Sequence, residues 1–104
     1  MQVEWNGLRI MLLIITMSTF ISGCSAPQGS PEDGKRWYTM HNCFACHGRN
    51  GNDGKAPEIN QPKMSFRSFQ SAIRNAGSPI MPQYPAEKIS KQDVADIYAW
   101  LKTK

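Results

Sequence analysis

Cys43-Phe44-Ala45-Cys46-His47 is the stretch of this 104-residue chain that decides its fold and its chemistry. In a helical turn the positions i, i+3 and i+4 share one face, so both sulfurs and the imidazole lie together. A Cys-x-x-Cys-His run is typical of c-type haem attachment, in which the two thiols bond the vinyl groups on one porphyrin edge. The stretch predicts one covalent haem c, held through Cys43 and Cys46, with His47 as an axial ligand of the iron.

Three other chemistries use these residue types. A thioredoxin-like redox pair requires a βαβ surround, and a zinc site requires two further ligands from a second cluster. A structural disulfide between Cys43 and Cys46 would leave His47 without a role. His41 is the one other strong metal ligand, and the chain has no second cysteine pair. Haem attachment is therefore the favoured interpretation.

Length and charge exclude several classes of protein. One domain at most fits in 104 residues, so a large-substrate enzyme with its own cofactor domain is ruled out. The 12 Lys and Arg residues against 8 Asp and Glu give a formal net charge of +4. These basic residues form no stripe interleaved with stacking side chains, so nucleic acid is not expected as a partner.

The N-terminal residues have the layout of an export signal. Residues 10–21 are an almost uncharged apolar run between Arg9 and Ser22-Gly23-Cys24. The run is too short for a stable membrane anchor, and it lacks the polar positions that a core helix would show. We expect residues 1–23 to be a signal peptide that the mature protein lacks.

Ile21-Ser22-Gly23-Cys24 resembles the lipobox of bacterial lipoproteins, in which the cysteine takes a diacylglycerol before cleavage. The resemblance implies a lipid anchor on Cys24, a tether over 24–30 and a folded domain over 31–104. Such a protein is exported and held to a membrane by its acyl chains, facing the periplasm or the outside of the cell. The alternatives for Cys24 are a free thiol or a disulfide partner.

Three capped or periodic segments predict helices. Ser30 precedes a helix expected to run to about residue 42, and Ser90 opens a capping signal before a helix over 93–102. Apolar residues at helical spacing predict a third helix over 65–75. No strand alternation of useful length is present. The fold class predicted is all-α, with three or four short helices wrapped round the haem.

Together these pieces resemble the class I cytochromes c, and the small bacterial monohaem members most of all. The resemblance covers residues 30–104. In chain order it rests on Gly34-Lys35-Arg36-Trp37-Tyr38, Cys43-Phe44-Ala45-Cys46-His47-Gly48, the glycine-rich loop to Ala56-Pro57, Met81-Pro82, and the final helix with Trp100-Leu101. It implies a cytochrome c fold whose first and last helices cross near the haem edge, with Gly34 allowing a close approach near Trp100.

The resemblance also implies an environment for the haem. Pro57 matches the position whose backbone carbonyl accepts a hydrogen bond from the proximal imidazole, which fixes the tautomer of His47. A chain so poor in aliphatic residues is marginally stable alone, and the haem supplies the missing apolar mass. The side chains expected to pack round the porphyrin or between helices are Trp37, Phe44, Phe66, Phe69, Ile73, Ile80, Tyr84, Ile97, Tyr98 and Trp100.

The sixth iron ligand is expected to be Met81. Three of the six methionines fall in the signal peptide, and Met40 lies within one turn of Cys43, which leaves Met64 and Met81. Two prolines near Met81 stiffen its loop and lower the entropy lost on ligation. The ligand in the cytochrome family is likewise a Met followed by Pro.

Iron held by His47 and Met81 is coordinatively full, which predicts electron transfer without a small-molecule substrate rather than enzymatic catalysis. Thioether ligation favours the reduced ion and raises the potential. The expected partners are redox proteins of a respiratory chain, kept close by the lipid on Cys24. Two alternatives remain: a haem subunit fixed in a respiratory dehydrogenase or oxidase complex, and a haem-based gas sensor if the sixth position is open.

Overall fold

The computed structural model describes residues 26–104; the expected signal peptide over 1–23 and Cys24 lie outside the described residues. The described part of the chain contains four helices and no strand. The helices are α1 (Pro31–Met40), α2 (Phe44–His47), α3 (Phe66–Arg74) and α4 (Lys91–Leu101). The prediction of an all-α fold with three or four short helices is confirmed. None of these helices is long and apolar enough to cross a membrane.

Helix α1 begins at the predicted cap and ends slightly early. The Ser30 side chain accepts a hydrogen bond from the Asp33 amide, and Pro31 occupies the first helical turn, where its missing N–H costs nothing. The helix stops at Met40, two residues before the expected end. Asn42 then has a φ of 57°, the left-handed geometry that asparagine tolerates, and this residue turns the chain into α2.

Serine caps also begin α3 and α4. The Ser65 side chain accepts from the Ser68 amide, and Ser90 accepts from the Asp93 amide. Helix α3 covers the predicted segment with Ser65 and Asn75 as its flanking residues. Helix α4 starts at Lys91, earlier than the expected residue 93, because Ser90 is its N-cap and accepts a hydrogen bond from the Asp93 amide within the first turn.

The core lies where α1 and α3 pack against α4. Its buried members are Tyr38, Phe69, Ile73, Ile89, Val94, Ile97, Trp100 and Leu101. The rings of Tyr38 and Trp100 are 4.7 Å apart, between α1 and α4. Two of the side chains expected to pack round the porphyrin or between helices lie outside the core cluster: Phe44 is 41% exposed and Ile80 is 84% exposed. Ile80 lies in the irregular segment between α3 and α4, next to Met81.

Helix α1 approaches α4 closely at Gly34. A Cβ on Gly34 would overlap the backbone oxygen of Asp96, so only a glycine permits this contact. The expected close approach is present at the Asp96 carbonyl, one helical turn before Trp100. Trp100 itself contacts Tyr38, one turn further along α1.

The side chain of Asp96 holds the same crossing together. It is 5% exposed and accepts hydrogen bonds from the Ser30 amide at 2.8 Å, from Trp37 Nε1 at 3.2 Å and from Gln92 Nε2 at 3.1 Å. A buried carboxylate is tolerated when its oxygens are hydrogen-bonded in this way. Asp96 thus fixes the start of α1 on the middle of α4.

Gly34→Ala should destabilise the protein by about 1–2 kcal/mol, because overpacking typically costs 1–3 kcal/mol and the gain in helix propensity is at most about 1 kcal/mol. The obstructing atom is a backbone carbonyl oxygen, which cannot rotate away. Denaturant unfolding of the purified protein measures the change. Gly77→Ala is the control, since a Cβ there meets nothing within 4 Å. Equal stability of the two variants would contradict the described crossing.

Candidate functional site

An apolar cleft lies between the core helices and the loops that follow α2 and α3. The cavity within the cleft has a volume of about 110 Å³. Its lining includes Tyr38, Cys43, His47, Met64, Phe69 and Met81. The structure thus brings Cys43, His47 and Met81, which are distant in sequence, to one cavity.

The turn that carries the cysteines is tied to the end of α1. The Cys43 amide donates to the Tyr38 carbonyl at 3.1 Å, and the His47 amide donates to the Cys43 carbonyl at 3.0 Å. Cys43 is partly buried in the cleft wall, whereas Cys46 is exposed and lies outside the lining. The two thiols are free, so no disulfide joins them.

The thiol of Cys43 does not have the properties of a redox nucleophile. Burial raises the pKa of Cys43 to about 11, so the thiol stays protonated at neutral pH. Reactive cysteines have lowered pKa values instead. Among residues 26–104 no group of three or more His, Cys, Asp or Glu side chains lies close enough together to hold a metal ion. These observations favour neither the thiol redox pair nor the zinc site.

His47 is oriented by a backbone contact. Its Nδ1 donates to the Pro57 carbonyl oxygen at 2.9 Å, which leaves Nε2 as the nitrogen with a free lone pair. The loop that carries Pro57 folds back onto α2, since the Ala56 amide donates to the Cys46 carbonyl at 2.9 Å. A Cβ on Gly54 would overlap that same carbonyl, so the loop can lie this close only with glycine there.

Tyr38 belongs to the site, although the sequence analysis gave it no role there. Its hydroxyl donates to the Gly48 carbonyl at 2.6 Å, directly after His47, and the residue is 1% exposed. Burial raises the pKa of Tyr38 to about 12, and nearby Cys43 and Asp53 contribute. The only signal in the sequence is the presence of Tyr38 in the segment before the cysteines. Its partner is a backbone oxygen, which residue patterns do not reveal.

Two thioether side chains reach the cleft. Met81 is partly buried, and Met64 is 47% exposed. The Met64 backbone is held by the Tyr98 hydroxyl, which donates to its carbonyl at 2.7 Å. Each methionine belongs to an irregular segment next to α3. The cleft therefore contains one imidazole with a free nitrogen and two candidate sulfur ligands.

Residues 29–101 match the family model described as cytochrome c oxidase, cbb3-type, subunit III. The chain belongs to this cytochrome c family. No curated protein and no solved structure matches the chain. The predicted cytochrome c fold and family are confirmed; the class I monohaem type and the lipoprotein nature stay predictions. A cytochrome c domain carries covalently bound haem c and transfers electrons through it.

The residues of the cleft fit a haem. Its apolar lining suits a porphyrin face, and Cys43 lies on its wall. The Pro57 contact leaves His47 Nε2 available for a metal. A cytochrome c needs these features together: an apolar surface, an attachment point and an oriented imidazole.

Tyr38→Phe should lower the free energy of unfolding by about 1–3 kcal/mol, because the Gly48 carbonyl loses its buried donor. Wild-type stability should also fall as the pH rises from 10 towards 12, since the unfolded chain releases the phenol proton near pH 10 and the folded protein keeps it to about 12. If Cys43 is bonded to haem it carries no charge, and burial is still the main cause of the raised pKa of Tyr38. Urea unfolding at several pH values measures both effects. Parallel pH profiles for the two proteins would refute this role of Tyr38.

Proposed function

We propose that this chain is an electron carrier with one haem c ligated by His47 and Met81, tethered to a membrane surface by lipid on Cys24. The observation that carries the proposal is the apolar cleft, which Cys43, His47 and Met81 all line. His47 Nδ1 is already bonded to the Pro57 carbonyl, so the imidazole is oriented before any ligand binds. Preorganisation of this kind lowers the reorganisation that ligation or electron transfer requires.

Each residue has a separate role. Cys43 and Cys46 attach the haem through thioethers, and the exposed side of Cys46 leaves its sulfur accessible during attachment. The bound haem supplies a one-electron iron couple. His47 ligates through Nε2, and donation to Pro57 raises the basicity of that nitrogen. Met81 would offer the iron a soft sulfur, which favours the reduced ion and would occupy the position that a substrate needs.

The cleft lining also affects the redox chemistry. Phe69, Ile73 and Ile97 are buried core residues that form part of the wall. Apolar walls exclude water and disfavour the extra positive charge of the oxidised iron, which raises the reduction potential. We therefore propose a moderate to high potential, suited to redox partners in the late part of a respiratory chain.

The family match favours a second candidate function. The family description names an oxidase subunit, which supports a haem subunit fixed within a respiratory complex. The same cleft serves both functions, since each needs electron transfer without a substrate at the iron. Extraction of the native protein from membranes separates them: a free carrier elutes alone, and a fixed subunit elutes with its complex.

Contacts at the start of the described chain support a short tether. The Gln28 carbonyl accepts from Gln92 Nε2 at 2.8 Å, and the Ser30 amide donates to Asp96. Both contacts lie on α4, so residues 28–30 are part of the domain surface. Four residue steps separate Cys24 from Gln28, a reach of about 14 Å. A lipid on Cys24 would therefore hold the exported domain close to the headgroups, facing the periplasm or the outside of the cell.

Met81→Ala should abolish the far-red sulfur-to-iron charge-transfer band of the oxidised protein, lower its reduction potential and let the reduced protein bind carbon monoxide. These changes are expected because the iron loses the Met81 sulfur as a ligand. Visible spectra and a redox titration of the membrane-extracted protein provide the measurements. A haem stain after denaturing electrophoresis verifies that the variant still carries covalent haem.

Met64→Ala is the matched control, because Met64 lines the same cleft. It should keep the band, the potential and the resistance to carbon monoxide. If instead Met64→Ala loses the band and Met81→Ala keeps it, the ligand is Met64. Carbon monoxide binding by the reduced wild-type protein would favour the gas sensor over the carrier.

Cys24→Ser should move the protein from the membrane fraction to the soluble fraction, because the acyl chains provide the membrane affinity. Mass measurement of the native wild-type protein should give a chain that begins at a diacylglyceryl cysteine. Cys46→Ala is the control, because it removes a cysteine outside the lipobox. This variant protein should remain in the membrane fraction. A mature protein that still contains Met11 would rule out cleavage before Cys24.

A further inference from the structure

We infer that Arg74 is the positioning residue for Met81: it binds the loop that carries this methionine to the end of α3 and so sets how firmly the thioether is held at the iron. The inference rests on the proposed function, in which Met81 is the ligand. It concerns an arginine that lies outside the haem-attachment motif and that is not itself a ligand.

The contacts of Arg74 are unusual for a basic residue at a helix end. Arg74 is the last residue of α3 and is partly buried. Its Nη1 donates to the Tyr84 carbonyl at 2.9 Å and to the Ile89 carbonyl at 2.6 Å. Both acceptors belong to the loop that joins α3 to α4, not to the helix itself. The guanidinium therefore ties the loop to α3.

The hydrogen-bond acceptors of the Arg74 guanidinium in residues 26–104 are both backbone carbonyls. The ion pair present in residues 26–104 joins Arg36 to Asp33, on α1. Hydrogen bonds from a charged donor are roughly twice as strong as those between neutral groups. Two such bonds from one nitrogen therefore fix the Tyr84 and Ile89 carbonyls more firmly than a neutral side chain would.

The Met81 segment has few other attachments. In the described structure, residues 76–83 make one hydrogen bond, from the Ile80 amide to Ser78 Oγ at 3.2 Å, and it is internal to the segment. The next fixed point along the chain is Tyr84, whose amide donates to the Ile73 carbonyl at 3.0 Å. Met81 precedes that point by three residues. Its position therefore depends on the attachment of Tyr84 to α3.

The backbone of Tyr84 is held at both its amide and its carbonyl. The Tyr84 amide donates to Ile73, and the Tyr84 carbonyl accepts from Arg74, so both sides of this residue are held by adjacent residues of α3. The second Arg74 bond, to Ile89, closes the far end of the loop next to α4. Removal of the guanidinium breaks both Arg74 bonds and leaves Tyr84 with its amide bond to Ile73 and a longer bond, from its hydroxyl to the His41 carbonyl at 3.4 Å.

The experiment compares Arg74→Gln and Arg74→Lys with Arg67→Gln, a change at an exposed arginine of the same helix. In Arg74→Gln the reduced protein should bind carbon monoxide about tenfold faster, or more, because open-loop states gain population when a charged hydrogen bond is lost. The charge-transfer band of the oxidised protein should weaken, because Met81 is held less firmly. The carbon monoxide rate of Arg74→Lys should lie between those of wild type and Arg74→Gln, since the lysine ammonium keeps the charge but has a shorter reach.

Hydrogen exchange over residues 76–90 is the second readout, and it does not depend on the identity of the ligand. Exchange should be faster in Arg74→Gln and unchanged in Arg67→Gln. If wild type lacks the charge-transfer band, the ligation by Met81 is wrong, and the exchange rates still decide whether Arg74 holds the loop.

The inference is overturned if Arg74→Gln matches Arg67→Gln in carbon monoxide rate, band and exchange. Faster exchange with an unchanged carbon monoxide rate also overturns it, because Arg74 would then stabilise the loop without positioning Met81. If Arg74→Gln yields no haem-loaded protein, Arg74→Lys provides the test. A carbon monoxide rate and hydrogen exchange faster than in wild type support the role of Arg74, and wild-type values of both refute it.

Discussion

The close crossing of α1 over α4 is the constraint on which the rest of the molecule depends. Gly34 lets the two backbones touch at the Asp96 carbonyl, and the Asp96 side chain binds Ser30, the cap of α1, and Trp37 within α1. This crossing sets the end of α1 and therefore the place where the chain turns into Cys43. A displaced α1 would move the attachment turn away from the cleft wall.

The cleft explains how so small a domain can be stable and functional at once. Eight side chains form the core cluster, and several of them, Phe69, Ile73 and Ile97 among them, also face the cleft. One side of the core is thus an open apolar wall. Below about 80 residues a hydrophobic core alone gives little stability, so a prosthetic group that covers this wall stabilises the same fold that positions it.

The two sides of the proposed iron site are built by different means. Cys43 and His47 lie within one helical turn, whose backbone hydrogen bonds fix their spacing directly. Met81 comes from an irregular loop and depends on side-chain contacts of Arg74 and on the Tyr84 amide. The His47 side is therefore rigid by local structure, and the Met81 side is rigid only as far as its tertiary contacts hold.

The sequence by itself determined the helices and the attachment chemistry, because caps, prolines and a five-residue motif act over a few neighbouring positions. The Ser30 and Ser90 caps were predicted from the sequence, whereas the helix after Ser65 was predicted from its apolar spacing and its cap came from the structure. Only the tertiary structure decided that Gly34 meets Asp96, that Tyr38 binds Gly48, and that Arg74 holds the Met81 loop. These contacts end on backbone oxygens, which every residue carries, so no pattern of side chains predicts them.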